Sequence, residues 1–192
     1  MLLLYFVVGG LILGLVSGGR LARLGNVRIL WWPVALGGLA FQLLLFGPPL
    51  ADIVGQAGPA LYVASSGAVM IALLRNLRQP GFAVIALGAS LNLLVIVANG
   101  GQMPASPEAW ALLTGTPEVP TVAFSNSALS EPATRFAFLG DLFVLPRPMP
   151  FANVFSIGDV LIGLGGALFL TRTMHRRNKE VATPRGAATS IA

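Results

Sequence analysis

Five stretches of the chain are almost without charge, and they leave it few ways to fold in water: residues 2–18, 30–46, 59–74, 82–98 and 154–171. One acid, Asp159, interrupts the last of them, and the other four hold no acid or base. A helix needs about 20 apolar residues, and no fewer than about 17, to cross the hydrocarbon of a bilayer. These runs sit at the short end of that range, and Trp31 and Trp32 extend the second into an interfacial belt. Core helices of a soluble protein would need polar faces, and these runs have none. With 10% charged residues against about 25% in soluble domains, the chain has too little charge to cover a wetted surface. The expected fold is all-α: a transmembrane bundle of about five helices in one domain, residues 1–171, whose lipid bilayer is its first partner.

Orientation follows from the arginines. Arg20, Arg23 and Arg28, then Arg75 and Arg78, then Arg172, Arg176, Arg177, Lys179 and Arg185 place ten of the twelve basic residues on alternate connections. The opposite connections hold Arg135 and Arg147, together with Asp52, Glu108, Glu118, Glu131, Asp141 and Asp159. Basic loops stay in the cytoplasm, so the reading is a multi-pass plasma-membrane (inner-membrane) protein, N-terminus outside and C-terminus inside. A net charge of +5 could suggest nucleic acid. Its placement at the inner ends of the spans instead points to anionic lipid headgroups, above all for the basic tail 172–192, expected to be disordered. No charge precedes the first run, as a cleaved signal peptide would require, so that run is expected to stay as a helix.

The chain has no cysteine and a single histidine, His175. Thiol chemistry and paired-histidine metal or haem ligation are excluded within one chain, and neither a metal nor a cofactor is expected. No glycine cluster is followed by the Lys-Ser/Thr of a phosphate loop.

The longest connection, residues 99–153, holds eight of the 14 prolines and many aromatic residues. Such apolar content suggests a loop lying on the bundle. Ser106-Pro107-Glu108 reads as a cap, a first-turn proline and a dipole-matched acid, opening a short interfacial helix through Trp110. A second short helix is expected within residues 128–138.

The polar positions inside the apolar runs are the candidate site. Ser156 and Asp159 have capping-box spacing, and Asp159 is also a membrane-edge acid able to hold a cation or proton. Asp141 and Glu131, on the same side, could join it. Asn92 and Asn99 lie seven apart on one helix face and are expected to point inward, toward Gln42, either as hydrogen-bonding glue between helices or as a polar path. Gly10, Gly14 and Gly18 form a small-residue stripe for helix packing.

Asn99-Gly100-Gly101-Gln102-Met103-Pro104, then Leu139-Gly140-Asp141, then Ser156-Ile157-Gly158-Asp159-Val160-Leu161-Ile162 resemble the motifs of a family of small bacterial membrane proteins classed as a domain of unknown function. The resemblance covers most of the chain outside the tail. It implies a multi-helix inner-membrane protein whose outer loop and last helix share a site; it implies no activity, cofactor or partner. With no catalytic constellation evident, the leading functional reading is a non-enzymatic accessory, scaffold or assembly component that meets a membrane-protein partner or a second copy of itself. The alternative is a small transporter or channel with a polar path near Asn92, Asn99 and Asp159.

Overall fold

A computed structural model describes residues 2–47, 50–115 and 127–176; the basic tail beyond Arg176 lies outside them. Each apolar run forms a helix: α1 (Leu2–Val16), α2 (Trp32–Leu45), α4 (Gly58–Arg75), α5 (Phe82–Ala98) and α7 (Ile157–His175), with the short α3 (Leu50–Val54) between α2 and α4 and α6 (Pro107–Thr114) in the long connection. The chain is mostly helical. Two helical stretches are long and apolar enough to cross a membrane, Gly55–Arg75 with 21 residues and Ile157–His175 with 19, and α1, α2 and α5 are shorter and apolar.

The all-α expectation needs correcting. The long connection contains four three-residue strands: β1 (Met103–Ala105), β2 (Ser127–Leu129), β3 (Phe143–Leu145) and β4 (Asn153–Phe155). β1 pairs in parallel with β2, and β3 runs antiparallel to β4 with Phe143 opposite Phe155, their rings stacked at 5.5 Å. The helix expected within 128–138 is replaced by the end of β2 and a 3-10 turn at Ala137–Leu139. Backbone N–H and C=O groups need partners, and short strand pairs supply them here.

The long helices pack side by side in the order α1, α7, α5, α4, α2. Glycine sets the closest approaches. A Cβ on Gly10 would lie 2.7 Å from the Ala167 Cα, and one on Gly14 would lie 2.5 Å from the Met174 sulfur. Thr171 Oγ1 donates to the Gly10 carbonyl at 3.1 Å. The rising register 10–167, 14–174 makes α1 and α7 parallel. Gly18 lies beyond α1 in a left-handed turn with φ +88°, touching no neighbour; Gly19 takes its place against Met174. On the other side, Gly88 faces Gly158 and Gly81 faces Gly165, so α5 runs antiparallel to α7. Ser90 reaches Met70 while Gly101 lies against Pro59, and Gly38 packs on Val69 while Gln42 reaches Ser65, so each further neighbour also reverses. Helices α1, α4 and α7 therefore point one way and α2 and α5 the other. Every one of the five leaves large apolar side chains exposed, among them Ile12, Leu43, Ile71, Leu87 and Leu164.

Candidate functional site

At the end of the bundle where α4 and α7 begin, β1, α6, β2 and the start of β4 close over the helices and leave a cavity of about 330 Å³. Its lining includes Tyr62 of α4, Asn92 of α5, Met103, Trp110, Asp141 and Asp159.

Ser156 caps α7. Its Oγ accepts from the Asp159 amide at 3.1 Å, and its own amide donates to Asp159 Oδ2 at 3.0 Å, a closed capping box. The second carboxylate oxygen, Oδ1, accepts from Asn92 Nδ2 at 2.9 Å, and Ser156 Oγ donates to Asn92 Oδ1 at 2.9 Å. The helix start and the middle of α5 are thereby locked in one network. Gly158 makes this contact feasible: any side chain there would strike the Asn92 amide and the Gly88 carbonyl.

Asp141 reaches the cavity by a different route. Its amide donates to the Pro104 carbonyl at 2.8 Å and its carbonyl accepts from the Ser106 amide at 2.9 Å, stitching residue 141 beside β1. Gly140 must be glycine, because a Cβ would run into the Pro104 carbonyl. Met103 and Pro104 are placed by Gly100 and Gly101, at φ +69° and +90°, where α5 stops and the Gly101 amide donates to the Ile96 carbonyl at 2.8 Å. The three glycine-bearing motifs thus converge on one cavity.

The two carboxylates differ in their partners. Asp159 is half-buried with two hydrogen-bond donors. The Asp141 side chain is 8% exposed, and no described residue hydrogen-bonds to it. Burial, reinforced by the neighbouring Asp159 charge, pushes the Asp141 carboxyl up to about 7. The titratable groups facing it are Asp159 and Tyr62. Glu108 on α6 is exposed and bonded to Ser106, and its carboxyl is held below the usual range by its own amide and the Ser106 hydroxyl.

The other sequence candidates lie elsewhere. Glu131 does not join the acids; it lines a separate cavity of about 290 Å³ with Asn99. Asn99 does not line a path with Asn92: it pins the connection, accepting from the Arg135 amide at 3.0 Å and donating to the Arg135 carbonyl at 2.8 Å. Gln42 does not meet Asn92 either, because α2 packs on α4, where its amide donates to Ser65 and Ser66 at 3.2 and 3.1 Å. Tyr62, Met103 and Trp110 line the cavity although the polar pattern does not single them out. A lone phenol in an uncharged run is the available signal for Tyr62.

Residues 26–171, which include every residue of this cavity, match the sequence profile of a family described as "Family of unknown function (DUF5317)". The chain belongs to the DUF5317 family. An uncharacterized protein of Thermotoga maritima is similar, with 31% identity over 94 residues, 49% of this chain and 52% of that one. The chain thus spans about half the length of that curated relative. No solved structure matches it. Within this DUF5317 chain, α1 lies outside the matched region, while the cavity and its three motifs lie inside it.

Proposed function

We propose that the chain is a five-span membrane protein, N-terminus outside and C-terminus cytoplasmic, that binds a small organic cation in the cavity at its outer end. The observation that carries the binding reading is Asp141, a buried residue whose carboxylate opens on the cavity beside a second carboxylate, with no hydrogen-bond partner among the described residues. A buried ion without a partner is costly, and a positive ligand between Asp141 and Asp159 relieves both their repulsion and the desolvation of Asp141. The rest of the lining suits an ammonium ion: Tyr62 and Trp110 offer aromatic rings for cation–π contact, and Asn92 is held in place by Ser156.

Three features support the five-span reading: the alternating helix directions, the apolar side chains exposed on every long helix, and the separation of charge. Arg20, Arg23, Arg75, Arg78 and Arg172 lie at the end opposite the acid-lined cavity. A reporter fused after Lys179 is expected in the cytoplasm; periplasmic activity overturns the topology.

Calorimetry of the detergent-purified chain with tetramethylammonium and ethylammonium tests the binding reading. One of the two is expected to bind at pH 8, and Asp159→Asn or Asp141→Asn to weaken it at least tenfold, while Glu131→Gln has no effect. Failure of both ions to bind refutes the reading, as does binding indifferent to Asp141.

A second reading, an accessory or assembly component, is favoured by the exposed Phe136, Phe138, Phe143 and Phe151 on the outer connection. It expects a fixed membrane partner to co-purify in mild detergent, and a clean, functional monomer counts against it.

A further inference from the structure

The opposite end of the bundle carries a second cavity, of about 440 Å³, lined by Arg28, Arg75, Arg78, Asn76, Gln79 and leucines. Its frame is rigid. Asn76 is 3% exposed and fully engaged: its Nδ2 donates to the Leu30 and Ala72 carbonyls at 2.7 Å each, and its Oδ1 accepts from the Leu30 amide at 2.8 Å. Gln79 ties two further segments together, donating to the Arg28 carbonyl at 3.3 Å and accepting from Arg176 Nη1 at 3.0 Å. The entrance to α2, the end of α4 and the end of α7 are thus fastened around one space.

The charges in that space are unbalanced. Arg75 lies over the Trp31 ring at 4.5 Å. The guanidinium groups of Arg28 and Arg78 have no hydrogen-bond or ion-pair partner among the described residues. Three cations gathered around one cavity, with no acid lining it among the described residues, repel one another, and a bound anion removes that repulsion. Guanidinium forks match the oxygens of a phosphate.

The surroundings select the source of the phosphate. Leu30, Leu74 and Leu77 are exposed beside the arginines, and Trp31 and Trp32 are exposed next to them, Trp32 at 56%. Exposed leucines give acyl chains a surface, and tryptophans beside a basic cluster mark the headgroup level. Trp31 is also held at φ 58°, a left-handed conformation that costs a non-glycine residue energy, and this aims its ring under Arg75. We propose that this cavity binds the phosphate of an anionic phospholipid headgroup in the inner leaflet. The inference is independent of the outer cavity and shares with it only the membrane-spanning reading.

The test uses the full chain, delipidated in an uncharged maltoside detergent, with native mass spectrometry and thermal unfolding as readouts. Phosphatidylglycerol is expected to bind and raise the midpoint, while phosphatidylcholine at the same concentration does neither. The double variant Arg28→Gln/Arg78→Gln is expected to lose at least tenfold in phosphatidylglycerol affinity, while Arg147→Gln on the outer connection keeps it. Equal binding of the two lipids overturns the proposal. So does phosphatidylglycerol binding that survives the double variant, which would place it on the basic tail. Inorganic phosphate that protects the wild type as well as the lipid does overturns the lipid assignment.

Discussion

Replacing Asp141 by Asn removes a buried charge and keeps the shape of the side chain. The Asp141 carboxyl stands at about 7 in the folded chain against an ordinary 3.8. That gap of about 3 units corresponds to about 4 kcal/mol at 1.36 kcal/mol per unit. A carboxyl whose folded value is raised binds its proton more tightly when folded. Its contribution is therefore favourable in acid, declines as pH rises from about 4 through about 7, and is gone above that. Asp141→Asn is expected to match the wild type near pH 4 and to be more stable at pH 8. The ceiling is about 4 kcal/mol, on the order of 10 °C in midpoint for a chain of this size. Because the cavity opens to solvent, the measured gain is expected to fall below that ceiling. Thermal unfolding followed by tryptophan fluorescence in detergent, from pH 4 to pH 8, reads the effect directly. Parallel curves for the two proteins would show that Asp141 is neither desolvated nor charged against Asp159, and the cation-binding reading would lose its foundation. An ammonium ligand should stabilise the wild type at pH 8 and leave Asp141→Asn unmoved.

Gly158→Ala forces the Asn92 side chain out of its place and is expected to cost about 1–3 kcal/mol, typical of overpacking, with ammonium binding lost; a stable variant with intact binding would refute the Gly158–Asn92 contact. Ser156→Ala removes the cap of α7 and one partner of Asn92, an expected loss of about 1–2 kcal/mol seen as a lowered midpoint. Asn99→Ala frees the clamp on Arg135; hydrogen exchange should rise across residues 127–140 and stay unchanged in α1 and α7. Gly10→Leu should separate α1 from α7, which a disulfide between introduced cysteines at residues 6 and 163 would report by forming in the parent and not in the variant.

What could be read in advance was what depends on near neighbours in sequence. The helical segments follow from uninterrupted apolar runs, and the Ser156–Asp159 cap from three-residue spacing. The cap of α6 at Ser106 is equally local, its Oγ accepting from the Ala109 amide at 2.9 Å. The partners of Gln42 and Asn92 depend on which helices adjoin, and apolar faces of similar composition carry no address for that. Gln42 finds serines because α2 adjoins α4, while Asn92 finds Asp159 because two glycines admit α7 beside α5. Glu131 shares the side of the chain that carries the acids, but the Asn99 clamp holds its segment at a separate cavity. The four strands left no trace in periodicity because each is three residues long and is set by its tertiary surroundings.

The position of α7 has a consequence for biogenesis. The helix flanked by both α1 and α5 is the last of the five to leave the ribosome. Until it arrives, the glycine stripe of α1 has no surface to grip and the Asn92 side chain lacks its Ser156 and Asp159 partners. A nascent chain halted after α5 would therefore hold α2, α4 and α5 packed in a row, with α1 still without its main neighbour. Docking of one late helix completes both the assembly and the acid-lined cavity.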